Sequence, residues 1–151
     1  MKKVFKFILF LLPWFLSTII FPFDKNYYNT LNLPFFTIPR FVFPIAWTIL
    51  YILIAYSIFK ISEVYSFKDT KNYNRALIIN YIFNQLFMFF FFTIKNPFLG
   101  FIDTLLTFIS SLFLYYETNE LDNKARIVLT PYPYFLLYAT LLSLTIYLLN
   151  F

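Results

Sequence analysis

Residues 30–56 read TLNLPFFTIPRFVFPIAWTILYILIAY, a turn-rich segment that runs without a break into an apolar helix. Pro34, Pro39 and Pro44 fix three backbone angles and withhold three amide donors. The part before about Phe43 is therefore expected to be ordered but not helical. Beyond Pro44, the run Ile45 to Phe59 carries no charge. Trp47, Tyr51 and Tyr56 recur in it at roughly helical spacing, which predicts an aromatic wall beneath the proline segment. A loop held above an aromatic-lined helix predicts a lid over a pocket.

The composition names the solvent. Of 151 residues, 61% are hydrophobic, 26% aromatic and 13% charged, with a single glycine. Soluble domains run at about 45–50% apolar and about 25% charged, so a chain of this size could not hide so much apolar surface from water. The bilayer is the expected partner. The sequence has no cysteine and no histidine, which removes thiol chemistry, disulfides and the commonest ligands of zinc and haem iron. A net charge of +5 would suit nucleic acid if it lay along one stripe, but the bases gather at segment ends. That pattern reads as membrane topology and not as nucleic-acid binding.

Taken in order, the chain predicts one all-α domain over 1–151, an integral membrane bundle of five spans at about 4–23, 41–60, 76–94, 98–116 and 127–149. The first span follows Lys2, Lys3 and Lys6; bulky residues replace a small-residue cleavage site at its end, so a retained helix is expected rather than a signal peptide. Residues 24–40 form the lid. Lys95, Asn96 and Pro97 mark a tight turn between the third and fourth spans, and Pro131 and Pro133 interrupt the fifth span early. With the N-terminus inside, the inner segments hold Lys2, Lys3, Lys6, Lys60, Lys68, Lys71, Arg75, Lys124 and Arg126, against Lys25, Arg40 and Lys95 outside. Nine bases against three predict a cytoplasmic N-terminus and an outward lid.

Three polar constellations lie within the spans. Asn80, Asn84, Phe87 and Phe91 follow steps of four, three and four and share a face of the third helix. For Asn84 two readings stand: an interhelical hydrogen bond, commonly worth about 0.6 kcal/mol, or contact with the polar edge of a ligand. On the fourth span, Gly100, Asp103, Thr104, Thr107 and Ser111 form a stripe of small and polar residues that predicts packing, within the bundle or across a dimer interface. Asp103 is the one carboxylate inside a span, and intramembrane acids are functional hypotheses by default; snorkelling, or a bond to Tyr or Asn on a neighbouring helix, is the structural alternative. On the fifth span, Phe135, Tyr138, Ala139 and Leu142 share a face, where the small Ala139 leaves room. With Trp47, Tyr51, Asn84 and Phe87 they would line an aromatic cavity suited to a flat apolar molecule. No catalytic residues emerge: there is no His–Ser or Cys pairing and no pair of intramembrane acids. Leu53, Tyr56 and Lys60 fit a weak cholesterol pattern.

The residues also resemble a known family, the TspO/MBR or tryptophan-rich sensory proteins. FPFDKNYYNTLNLPFFTIP is similar to the family's first loop, PIAWTILY to its second helix with Trp47 kept, and NYIFNQLFMFFFFTIKNPFLGFID to its third helix, turn and fourth helix. LTPYPYFLLYATLLSLTIYLLN is similar to its fifth helix. The resemblance implies a five-helix bundle, often a homodimer, that binds porphyrins such as protoporphyrin IX or haem as ligands and requires no cofactor. Carried over by position, the pocket would include Tyr28, Trp47, Asn84, Phe87, Phe135 and Ala139. Pro39 and Tyr51 would border it, and Lys25 and Arg40 would meet propionates. Several family tryptophans are replaced, by Tyr27, Phe36, Phe87 and Phe135. Some relatives resemble photo-enzymes that degrade porphyrin with a tryptophan pair; here only the member matching Trp47 is kept and Phe135, harder to oxidise and without an indole N–H, replaces the other, which speaks against that chemistry. The expected role is sensory or regulatory tetrapyrrole binding in a bacterial cell membrane. Transport of porphyrin or another apolar metabolite, and light- or oxygen-dependent porphyrin degradation, are the alternatives.

Overall fold

The computed structural model describes residues 2–151. Among them every regular element is helical, and five helices are long and apolar enough to cross a membrane. These are α1 (Lys2–Ile20), α2 (Val42–Val64), α3 (Lys71–Thr93), α4 (Pro97–Leu121) and α5 (Asn123–Leu149). α1 packs on α2 and, through its end, on α3; α2 packs on the start of α5, α5 on α4, and α4 on α3. The helices thus close into a ring in the order α1, α2, α5, α4, α3. Large apolar side chains such as Ile78, Ile79, Ile82, Phe113 and Leu141 face outward, as expected of surfaces in contact with lipid rather than water.

Local chemistry explains the irregularities. Pro13 tightens α1 into a 3₁₀ turn over Leu12–Phe15, because its ring cannot continue the α ladder. α3 ends in a wide π turn over Phe89–Thr93, where Ile94 N–H donates to the Phe89 carbonyl at 2.9 Å. Lys95 then takes φ 59°, a left-handed stop. Asn96 caps α4 by accepting from Leu99 N–H at 3.1 Å, with Pro97 in the first turn. Asp122 caps α5 by accepting from Lys124 and Ala125. α5 breaks at Thr130 ahead of Pro131, where the sequence places an interruption.

The two charged connectors are shorter than expected. The charged stretches 60–75 and 117–126 are mostly helical, leaving only 65–70 and Asp122 between helices. Hydropathy marks the hydrocarbon, not the helix end, and Lys, Glu and Arg are good helix formers that extend α2 and α4 past the apolar run. Glu63, at the end of α2, is held by Lys3 at 2.9 Å and Lys6 at 3.0 Å, which fixes α1 to α2 on that side.

The interior is partly polar. Gly100, Asp103, Thr104, Thr107, Ser110 and Ser111 are all buried within this one chain, so the small-residue stripe of α4 serves packing inside the bundle and is not offered to a second copy. Small side chains let α3 and α5 approach on either side of α4.

A candidate ligand site beneath the lid

α2, α3 and α5 bring Trp47, Tyr51, Asn84 and Phe135 together. The Trp47 ring lies 5.6 Å from Tyr51 and meets Phe135 edge-on at 5.5 Å and 83°, the geometry favoured by aromatic quadrupoles. The Tyr51 hydroxyl donates to Asn84 Oδ1 at 3.1 Å, and Asn84 Nδ2 donates to the Tyr132 hydroxyl at 3.1 Å. The Tyr132 hydroxyl in turn donates to Asn80 Oδ1 at 2.9 Å. Asn80 Nδ2 donates to the Thr107 carbonyl and Ser110 Oγ. One chain of hydrogen bonds therefore ties α2, α3, α5 and α4 together below the aromatic rings. Asn84 therefore makes interhelical bonds, to Tyr51 on α2 and Tyr132 on α5, and its carbonyl also accepts from its neighbour Gln85 at 3.3 Å.

Tyr132 is the residue that sequence reasoning missed. Its position between two prolines reads as helix disruption, yet it is fully buried and its hydroxyl bonds both asparagines. A usable signal was present: Tyr132, Phe135 and Ala139 follow helical steps of three and four, placing all three on one face.

Above this floor lies a second aromatic layer. Phe87 stacks on Phe91 at 5.2 Å, and with Tyr27, Tyr28, Phe43 and Tyr138 it packs against a buried cluster of Phe91, Phe92, Leu142 and Ile146. Phe135 joins the layers through Tyr138 at 5.8 Å. The lid covers this layer and is not wholly irregular. Asp24 accepts from Tyr27 N–H at 2.9 Å and starts a six-residue helix, Lys25–Thr30, within the stretch expected to be loop. From Leu31 to Arg40 the lid is extended or turned, as its prolines require.

Both ends of the lid are fastened. At its start, Asp24 pairs with Lys95 at 2.8 Å, and that hydrogen bond holds the Asp24 carboxyl below its ordinary value. Lys95 also sits 5.8 Å from the Tyr27 ring centre. Further on, Asn32 N–H donates to Asn150 Oδ1 at 2.8 Å, and Asn150 Nδ2 returns a bond to the Asn32 carbonyl at 3.0 Å. The Tyr138 hydroxyl accepts from Ile38 N–H and donates to the Phe36 carbonyl, each at 3.2 Å. Replacing Tyr138 with Phe will leave both backbone groups without this partner and weaken the lid's hold by about 1 kcal/mol. Hydrogen exchange of residues 31–40 will then run roughly fivefold faster, with the α4 core unchanged.

The remaining expected residues take different places. Ala139 is buried on the inner face of α5, beside Thr140, whose hydroxyl donates to the Thr104 carbonyl at 3.2 Å. Tyr28 is half-buried against Phe23 at 5.5 Å, and burial raises its phenol above the ordinary value. Pro39 and Arg40 are exposed at the rim, where Arg40 donates to Asn29 at 3.3 Å. Lys25 is exposed and lines an open outer hollow of about 650 Å³ with Phe21, Phe23 and Phe92. A second hollow of about 540 Å³ opens at the other end, near Lys68 and Glu117. Neither hollow is lined by Trp47, Asn84 or Ala139; between the layers the aromatic side chains close on one another. Tyr56 leaves the predicted wall: it is exposed and stacks on Phe59, because five steps from Tyr51 rotate it well off that face. Asp103 neither snorkels nor bonds Tyr or Asn: it is 2% exposed, and neither carboxylate oxygen has a partner among the described residues.

This architecture agrees with comparison to known proteins. The chain is 37% identical over 137 residues to the tryptophan-rich protein TspO of Bacillus cereus, covering 91% of this chain and 89% of that protein. It is 36% identical to the membrane protein YtaB of Bacillus subtilis, over 87% of this chain and 84% of the relative. A tryptophan-rich protein TspO of Archaeoglobus fulgidus is 29% identical over 83% of this chain and 81% of its own length. A TspO/MBR family model matches residues 7–149. A multi-pass bundle of five membrane-spanning helices, matched along nearly its whole length, belongs to the TspO/MBR family.

Proposed function

We propose that this membrane protein binds a flat, apolar tetrapyrrole such as protoporphyrin IX beneath the lid, in a sensory or regulatory role. The observation that carries the reading is the convergence of Trp47, Tyr51, Asn84 and Phe135 under a lid fastened by Asp24, Asn32, Ile38 and Phe36 contacts. Ring faces offer stacking and dispersion to a planar guest, and the lid excludes water around it. The closed rings imply that a guest enters by displacing aromatic side chains, with the lid released at Tyr138 and Asn150. Lys25 and Arg40 at the outer rim supply positive charge for propionates. The excess of inner bases supports a cytoplasmic N-terminus, which puts the lid outside. A homodimer, implied by the family, would use a lipid-facing surface, since the α4 stripe is already buried.

With no His or Cys in the chain, haem iron would depend on weaker axial ligands, so binding should rest on the macrocycle rather than the metal. Protoporphyrin IX is therefore expected to bind at least as tightly as haem, measured by tryptophan fluorescence quenching of detergent-purified protein. A strong signal from haem alone would contradict the reading.

A further inference from the structure

Asp103 lies deep in α4, 2% exposed, with both carboxylate oxygens unpartnered among the described residues. The hydroxyls beside it on α4, and that of Thr140 on α5, are committed to backbone carbonyls: Thr104 to Phe101, Thr107 to Asp103's own carbonyl, Ser110 to Thr107, and Thr140 to Leu136 and Thr104. Hydrogen bonds also fix its level in the bundle. Asn80 reaches Thr107, so one turn along the antiparallel α3 Asn84 comes opposite Asp103. Thr140 reaches Thr104, which sets Ala139 and Thr140 beside it on α5. Asp103 thus stands at the level of the asparagine floor and of Ala139, a small side chain on the inner face of α5.

An ionised carboxylate left alone in an apolar interior is strongly disfavoured, and a positively charged N–H donor is the partner that offsets that cost best. We infer that Asp103 is the deep anchor of the ligand site and selects flat apolar guests that carry a protonated, hydrogen-bond-donating nitrogen. A bound guest would place its rings against Trp47 and Phe135 and direct the cationic N–H past Ala139 to the carboxylate. This rests on the ligand-site reading above and adds a chemical class to it.

Three flat probes of similar size test it on the full chain in non-ionic detergent, by quenching of tryptophan fluorescence. These are neutral acridine, 9-aminoacridine, which is cationic with N–H donors, and N-methylacridinium, which is cationic without them. The wild type is expected to bind 9-aminoacridine about tenfold more tightly than acridine, with N-methylacridinium between them, as a charge-assisted hydrogen bond requires. In Asp103→Asn the ratio of 9-aminoacridine to acridine should fall to near one, whereas Asp103→Glu should keep part of it. Equal affinities for the three probes in the wild type, or an unchanged ratio in Asp103→Asn, would overturn the inference while leaving porphyrin binding intact. If the Asn variant does not fold, the wild-type ranking alone decides. If neither acridine nor protoporphyrin IX binds, the ligand-site reading fails and takes this inference with it.

Discussion

Replacing Gly100 with valine will lower the stability of the detergent-purified protein by about 2–3 kcal/mol, the cost of overpacking a filled interior. A Cβ at this position would stand 2.5 Å from Phe91 Cδ2 and 3.3 Å from Phe91 Cβ. The ring end could rotate away from the first contact. The second involves an atom fixed to the backbone of the π turn, in a side chain only 3% exposed. Alanine at position 100 sets two effects against each other: up to about 1 kcal/mol of helix propensity gained, and a forced shift of Phe91. The shift wins, because Phe91 is already packed by Phe87, Phe92 and Tyr27. Valine adds further carbon and no compensation. Thermal unfolding of wild type, Gly100→Ala and Gly100→Val should rank in that order. Adding Phe91→Leu to the valine variant should recover part of the loss, since the two sites share one volume. A valine variant that melts with the wild type would show that α3 and α4 are not packed as described.

Removing the Tyr132 hydroxyl will have the next largest effect. In Tyr132→Phe, Asn80 Oδ1 loses a donor at 2.9 Å and Asn84 Nδ2 loses an acceptor at 3.1 Å, all within an interior where Asn80 and Tyr132 are fully buried. Interhelical hydrogen bonds in membranes average about 0.6 kcal/mol, whereas a buried polar group deprived of its partner costs about 1–3 kcal/mol. Two such groups are stranded here, so a loss of about 2 kcal/mol is expected. The effect should be non-additive with Asn80→Leu, because the first change removes the reason for the second. Independent effects of the two substitutions in thermal unfolding would contradict a continuous chain from Tyr51 to Ser110.

Much of this arrangement was legible in the residues. Charge-free runs place the five spans, and prolines place the turn at Asn96, the break before Pro131 and the extended half of the lid. Helical steps also put Asn80, Asn84 and Phe91 on the buried side of α3 and Trp47 and Tyr51 on the inner side of α2. Periodicity says which way a side chain faces but not what stands opposite. The Tyr132 bridge and the ties from Asn150 to Asn32 and from Tyr138 to Ile38 and Phe36 join residues far apart in sequence, which no local spacing encodes. The Lys25–Thr30 helix escaped because six residues give too short a period to read, and a single Asp24 cap sustains it together with packing of Tyr27 and Tyr28. Hydropathy likewise misplaced the helix ends around residues 60–75 and 117–126, where helical turns carry charge. The solitude of Asp103 was hidden for another reason: Thr104, Thr107, Ser110 and Thr140 look like partners in sequence, and only their bonds to backbone carbonyls show that they are committed.

Trp47, and not merely some aromatic surface, is expected to face the guest. The protein has two tryptophans; Trp14 is 2% exposed behind Tyr51, at 5.7 Å, while Trp47 meets Phe135. Titrating protoporphyrin IX into Trp14→Phe, which retains Trp47, should give saturable quenching at the wild-type affinity. Trp47→Phe should bind at least tenfold more weakly, the loss of about 1.4 kcal/mol of stacking and dispersion. Equal affinity in both variants, or quenching that never saturates, would contradict a guest seated on Trp47.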